Sequence, residues 1–220
     1  QIMSEYGADT LRLYILSDSP PERDTVWSEQ GLLGASRFIN RLWNTAHDHI
    51  QSCGRVEPVG RVAPGMPPAD RDLLRVAHST IRSATDDIER EMHYNTAIAR
   101  VTELVNAIRS AQADASPGVA RFAIETALRL ISPIIPHAAE ELWAALGNEP
   151  GIFRTTWPEH DEEALKTDLI SIPVQVNGKL RSHLNVAPGV PPREIERLAL
   201  EDAKVRSYVQ GKQVRKVIVV

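Results

Sequence analysis

Five positively charged side chains near the C-terminal end of the sequence are candidates for binding phosphate groups: Lys179, Arg181, Lys212, Arg215 and Lys216. The first two follow the tight-turn dipeptide Asn177-Gly178 on a predicted strand, where alternation places both on one face of a sheet. The other three flank a last apolar strand. If the strands are neighbours, the cations form one basic surface suited to RNA phosphates, which give affinity and positioning. The alternative is a sheet face that only keeps the protein soluble.

A second pair of cations lies near the N-terminal end of the sequence. Arg37 and Arg41 are one helical turn apart on a predicted helix, off its apolar stripe, where they can grip the backbone of an RNA stem. The alternative is that they form ion pairs with carboxylates such as Glu29. Trp27 and Trp43 are candidates for stacking on a base, but we expect them to be core residues.

No residue pattern in the sequence predicts catalysis or metal binding. His47 and His49 are two apart, so on a helix they point in different directions and cannot share a metal ion. The remaining histidines and the single cysteine have no ligand spacing, and glycine-rich phosphate loops and nucleophile elbows are absent. Paired carboxylates are read as solvated charge on helix surfaces: Asp86-Asp87, Glu140-Glu141 and Glu162-Glu163.

The charge is unevenly distributed along the 220 residues. Residues 1–169 carry 16 Lys and Arg against 25 Asp and Glu, which is −9, and residues 170–220 carry 9 against 4, which is +5. A basic tail on an acidic body favours a polyanionic partner. A lone cysteine and the lack of an apolar run of ~18–20 residues lead us to expect a cytoplasmic protein with no membrane partner. A chain that begins with Gln1 is expected to be a piece of a longer protein.

The elements that position these residues are organised around the apolar segment 128–146. Its centre lacks charged side chains, which is typical of a helix buried on all sides. Pro133 and Pro136 are expected to end one helix and start another inside this segment. The segment is therefore predicted to be the broken central helix of an α-helical bundle.

Helical periodicity predicts the other members of the bundle, and a change of period marks its end. Apolar residues at intervals of three and four predict helices over 28–52, 69–92, 95–113 and 118–130. From residue 170 apolar residues alternate, which predicts a hairpin, then one helix from Pro192 and a last strand. The fold class is mainly α: a helical bundle followed by a small α+β C-terminal domain, with a boundary near residue 168.

Several of these segments together resemble a known family. Residues 6–12 (YGADTLR) resemble the segment after the KMSKS loop of class I aminoacyl-tRNA synthetases, and 37–43 (RFINRLW) the first anticodon-domain helix of bacterial leucyl-tRNA synthetases. Residues 94–99 and 136–143 (PHAAEELW) fit later helices of that class Ia anticodon-binding domain, motifs shared with valyl, isoleucyl and methionyl enzymes. Residues 174–181 (VQVNGKLR) and 214–218 (VRKVI) are similar to the C-terminal domain of the leucyl enzymes and select that family.

The resemblance implies a tRNA-holding piece of a leucine–tRNA ligase. The family charges tRNA-Leu using ATP and Mg²⁺, but its HIGH and KMSKS signatures and editing domain are expected upstream, so this piece alone is expected to be inactive and to need no cofactor. Residues 1–20 correspond to the end of the stem-contact region, 21–167 to the anticodon-binding domain and 168–220 to the tRNA-binding domain, which touches the tRNA elbow in relatives. Bacterial relatives continue past the final Val-Ile-Val-Val with another short strand, so this domain is expected to be incomplete here. We expect a monomer with the catalytic and editing domains as further partners. The alternatives are the same piece of another class I synthetase, or a helical protein-interaction module without an RNA role.

Overall fold

The computed structural model of the protein describes residues 2–20, 22–24, 26–90, 92–166, 170–187, 189–210, 214 and 216–218. The chain divides into two compact units, Gln1–Leu165 and Lys166–Val220. The described part of the first unit is helical, and that of the second combines a two-stranded sheet with two helices. The predicted fold class, mainly α followed by a small α+β domain, is confirmed.

Within its described residues the first unit has seven α-helices and a short 3-10 turn. The helices predicted over 28–52, 69–92, 95–113 and 118–130 correspond to the third to sixth of these. The elements are α1 (Ile2–Tyr6), α2 (Ala8–Asp18), α3 (Glu29–Cys53), α4 (Pro68–Glu89), α5 (Tyr94–Ala111), α6 (Pro117–Ile131), α7 (Pro136–Ala145) and the 3-10 turn Ile152–Arg154.

The longest helix, α3, follows directly from its sequence. Its apolar residues recur on one side, and Phe38, Leu42 and Ala46 are buried there in the core. Ser28 begins the helix by accepting a hydrogen bond from the backbone N–H of Gly31. Gly54 ends it with a φ of +63°, a value that favours glycine.

The broken helix at the centre of the bundle is confirmed. α6 ends at Ile131, Pro133 lies in the turn that follows, and Pro136 is the first residue of α7. Proline fits at that position because the first turn of a helix has no internal partner for its N–H groups. The guanidinium of Arg12 in α2 donates to the carbonyls of Pro133 and Ile134, so α2 satisfies backbone acceptors that the break leaves open.

A buried carboxylate joins the start of α4 to the start of α6. Asp70 accepts hydrogen bonds from the backbone N–H of Ser116, at 2.6 Å, and from its hydroxyl, at 2.5 Å. Ser116 occupies the N-cap position of α6, but its hydroxyl donates to Asp70 instead of capping the helix. Only 3% of Asp70 is exposed, and these bonds compensate for burying its charge.

The second unit begins with a β-hairpin. β1 (Ile170–Val176) and β2 (Lys179–Val186) are antiparallel, and the dipeptide Asn177-Gly178 joins them with φ values of +52° and +75°. Two consecutive residues with positive φ are what the favoured two-residue hairpin turn requires, and Asn-Gly supplies them at low steric cost. The predicted hairpin is confirmed.

The helical part of the second unit differs from the prediction. Two helices, α8 (Pro192–Glu201) and α9 (Ala203–Val209), replace the single helix expected from Pro192. The break lies at Asp202, whose side chain accepts hydrogen bonds from the backbone N–H groups of Lys204 and Val205 and so starts a new helix. Residues 214 and 216–218 are not in a strand, and the rest of the predicted last strand lies outside the described residues.

Candidate nucleic-acid interface

The hairpin that carries two of the candidate cations contains a bulge. The ladder pairs Gln175 with Leu180 and Val174 with Ser182, so Arg181 has no partner residue of its own. A bulge interrupts alternation and re-aims a side chain. The argument that put both cations of this strand on one face therefore does not apply across the bulge.

Arg181 lies against an aromatic side chain. Its guanidinium carbon is 4.1 Å from the centre of the Tyr208 ring, and its Nη1 donates a hydrogen bond of 3.2 Å to the Tyr208 hydroxyl. Its Nε is buried and has no hydrogen-bond partner among the described residues. Among the described residues no carboxylate forms an ion pair with Arg181, so its positive charge is not neutralised there. Lys179 is exposed beside the turn.

Another arginine of the second unit is already neutralised. Arg197 on α8 is held between Glu194 and Glu201, with Nη–Oε distances of 2.6 and 2.8 Å. The hydrogen bonds to these two carboxylates raise the pKa of Arg197, and the one from Arg197 lowers the pKa of Glu194. The count of cations in the basic tail therefore overstates the charge that is available to an RNA phosphate.

The remaining predicted cations of the second unit are only partly described. Lys216 is exposed. Lys212 and Arg215 lie outside the described residues, so their place in the basic surface stays a prediction.

On α3, Arg37 and Arg41 make different contacts. Arg37 is exposed, and its Nε donates to the carbonyl of Leu33 on its own helix. Arg41 donates to the side-chain oxygen of Asn106 on α5, at 2.8 Å. In the part of the chain that the structure describes, neither arginine forms an ion pair with Glu29, so that alternative is not supported. Arg37 has the freer guanidinium of the two.

The two tryptophans considered for base stacking differ in burial. Trp27 is 50% exposed, with its ring edge-on to Tyr14 at a centroid distance of 5.1 Å, so the expectation that it is a core residue is wrong. Trp43 is partly buried against the core and lies 5.1 Å from the ring of His47. The Tyr14 hydroxyl fixes the backbone on both sides of Trp27, because it donates to the carbonyl of Val26 and accepts from the backbone N–H of Ser28.

One residue that contributes to the candidate interface was missed in the sequence. Tyr208 is 38% exposed near the end of α9, and only its position in the basic tail could have drawn attention to it.

The interpretation of Glu140 as solvated charge is wrong, because its carboxylate accepts hydrogen bonds from the backbone N–H groups of Gly151 and Ile152. These hydrogen bonds of Glu140 are structural and position the 3-10 turn.

The described residues contain neither a cluster of metal ligands nor a helix that could span a membrane. No three of their His, Cys, Asp or Glu side chains gather in a way that could hold a metal. None of their helices is long and apolar enough to cross a bilayer.

The fold agrees with what comparison with known proteins finds. Residues 70–197, from α4 to α8, match the model of the anticodon-binding domain of tRNA ligase. The chain belongs to this family of anticodon-binding domains.

Curated relatives specify the kind of ligase that the chain is similar to. It is 42% identical to the leucine–tRNA ligase of Geobacter sp. (strain M21) and 44% identical to that of Desulforapulum autotrophicum, in each case over the whole chain. It covers 27% and 26% of these relatives, so it spans about a quarter of their length. The leucine–tRNA ligase of Alcanivorax borkumensis is 41% identical over the whole chain, which covers 27% of it.

Two solved structures have similar folds. One is the LeuRS of Agrobacterium radiobacter K84 in a ternary complex with tRNA and LeuAMS, which is 27% identical with a TM-score of 0.79 over 100% of this chain and 28% of that one. The other is the free methionyl-tRNA synthetase of Mycobacterium tuberculosis, with a TM-score of 0.53 over 68% of this chain and 34% of that one. At 19% identity the second shows a shared fold and nothing more.

Proposed function

We propose that this chain is the tRNA-holding part of a leucine–tRNA ligase and that its partner is tRNA-Leu. The observation that carries the proposal is the likeness, over the whole chain, to a LeuRS solved with tRNA bound. The names of the curated relatives favour leucine over the valine, isoleucine and methionine enzymes that share the bundle motifs.

The charge distribution supports different roles for the two units in RNA binding. RNA helices are recognised through shape and through phosphate and 2′-hydroxyl contacts. Residues 1–169 are acidic, with a charge of −9, and repel a polyanion unless local cations such as Arg37 face it. Residues 170–220 carry +5, so we assign most of the phosphate attraction to Lys179, Arg181 and their neighbours. The C-terminal unit then binds the elbow of the tRNA, and the bundle lies along its stem.

The same proposal extends to the whole enzyme. The intact ligase charges tRNA-Leu with leucine in the cytoplasm, using ATP and Mg²⁺ that other domains bind, and this piece alone is inactive. It acts as a monomer and contacts the catalytic and editing domains. Residues 1–20, 21–167 and 168–220 keep their assignment to the stem-contact end, the anticodon-binding domain and the tRNA-binding domain.

The binding of a tRNA-Leu transcript to the 220-residue chain tests the proposal. In a gel-shift titration at several salt concentrations, the logarithm of the binding constant should fall linearly with the logarithm of the salt concentration. The slope should be about 0.7 to 0.9 for each phosphate contact. A tRNA of another specificity serves as the control and should bind more weakly. No shift at low salt, as expected for a protein-interaction module, would contradict the proposal. A flat salt response would contradict binding led by phosphate.

A further inference from the structure

The contact between Arg181 and Tyr208 is unusual among the cation contacts of the second unit. Arg197 is neutralised by two carboxylates, whereas Arg181 is held by an aromatic ring and a neutral hydroxyl. A ring face attracts a guanidinium without cancelling its charge. The contact therefore fixes the position of Arg181 and leaves its positive charge for another partner.

The guanidinium of Arg181 still has donors that its contact with Tyr208 does not use. Its buried Nε has no hydrogen-bond partner in the part of the chain that the structure describes, and an unsatisfied buried donor costs free energy. One Nη1 hydrogen goes to Tyr208, so a guanidinium with five donors retains further N–H groups on its Nη atoms. Planar pairs of such donors match the oxygens of a phosphate.

We propose that Tyr208 is a positioning residue for RNA binding, which holds the guanidinium of Arg181 ready for a backbone phosphate of the tRNA. The inference rests on the proposed function and adds to it a residue and a role. A free arginine loses rotamer freedom when a phosphate fixes it, and this loss weakens binding. The Tyr208 ring and hydroxyl impose the same order before RNA arrives, so that part of the loss no longer opposes binding.

A double-mutant cycle separates this role from direct contact between Tyr208 and RNA. The variants are Tyr208→Leu, Arg181→Gln and their combination, assayed with a tRNA-Leu transcript bound to the 220-residue chain. Tyr208→Leu should weaken binding by about two- to fivefold, the size of an exposed cation–ring contact, with an unchanged salt slope. Arg181→Gln should reduce the salt slope by about 0.7 to 0.9, because a phosphate contact is lost. In the Arg181→Gln background, Tyr208→Leu should have no further effect.

Other outcomes overturn the inference, and one of them also removes the assignment of the hairpin to phosphate binding. If the two substitutions weaken binding additively, Tyr208 contacts RNA itself and does not position Arg181. If Arg181→Gln weakens binding but Tyr208→Leu does not, the stack has only a structural role. If Arg181→Gln leaves both affinity and salt slope unchanged, the assignment of this hairpin to phosphate binding fails as well.

Two control variants and an unfolding measurement separate the effect on RNA binding from effects on folding and on net charge. Tyr208→Phe keeps the ring but removes the hydroxyl acceptor, so it should weaken binding less than Tyr208→Leu. Arg197→Gln removes the same charge from the same unit at a site that carboxylates already neutralise, and it should leave the salt slope unchanged. Thermal unfolding of each variant verifies that the chain remains folded at the assay temperature.

Discussion

The carboxylate of Asp9 in α2 accepts a hydrogen bond of 2.7 Å from the backbone N–H of Ala138, the third residue of α7. Its other oxygen lies 2.8 Å from Nδ1 of His137. The residue before α7, Ile135, has no side-chain oxygen with which to cap the helix. Asp9 supplies that cap from a distant part of the sequence and places a negative charge at the positive end of the helix.

Replacement of Asp9 by asparagine should therefore destabilise the first unit. The amide retains one acceptor for the N–H of Ala138 but removes the negative charge from the helix end and from beside His137, so we expect a loss of about 1 to 3 kcal/mol. The matched change Asp24→Asn, in an exposed loop, should alter stability by less than about 0.5 kcal/mol. Urea unfolding of the two variants measures the difference. Equal midpoints for both would show that the cap contributes nothing.

Glu140 and its neighbour Glu141 provide a second matched test. Glu140 binds the backbone N–H groups of Gly151 and Ile152 at 2.6 and 2.7 Å, whereas Glu141 is exposed. Glu140→Gln should lower the free energy of unfolding by about 1 to 2 kcal/mol, and Glu141→Gln should have almost no effect. Hydrogen exchange at the Gly151 and Ile152 amides should quicken in the first variant alone. Unchanged exchange at both amides would argue against the contact.

The stability of the first unit should depend on pH through His78. Its Nδ1 accepts the N–H of Asp161 and its Nε2 donates to the carbonyl of Gly60, so the buried ring is neutral. Burial lowers the pKa of His78 below its usual 6.5, and the unfolded chain therefore binds a proton at a higher pH than the folded chain. Stability is full above about pH 6.5 and decreases as the pH falls below it, by at most about 1.4 kcal/mol per pH unit for one proton.

Unfolding of the wild type and of His78→Gln at pH 7.5 and 5.5 measures this dependence. The variant should be less stable than the wild type at both pH values, but its free energy of unfolding should fall less between pH 7.5 and pH 5.5. A residual slope is expected from His49, because burial, with a contribution from Arg121, also lowers its pKa. An NMR titration should place the His78 pKa below 6.5. Identical slopes for the two proteins would contradict the role of His78.

The features of the fold that the sequence predicts are those encoded locally. The periodic apolar residues of α3, the prolines at 133 and 136 and the Asn177-Gly178 turn each specify their own conformation over a few residues, and the structure agrees with each. The break at Asp202 is also encoded locally, since an aspartate is a common first residue of a helix. The apolar residues before and after it keep the spacing of one helical face, however, and this spacing predicts a single helix.

The features that the sequence could not predict depend on residues far apart along the chain. Glu140 finds its partners in a connector whose path no periodicity specifies, so its carboxylate looked solvated. The bulge at Arg181 depends on the register between two strands, which a repeat of two residues does not determine. The stack of Arg181 on Tyr208 depends in turn on how α9 packs on the hairpin. The candidate cations were therefore predictable as residue types, but their neighbours were not.

The most direct test of the account is the affinity of the chain for tRNA-Leu after two matched double substitutions. Lys179→Gln with Arg181→Gln removes two cations that have no carboxylate partner among the described residues. Arg75→Gln with Arg197→Gln removes two that are already in ion pairs. We predict that the first pair weakens binding about tenfold or more and lowers the salt slope by about 1.4 to 1.8, whereas the second leaves both nearly unchanged. Equal effects of the two pairs would contradict a specific phosphate-binding surface on the hairpin.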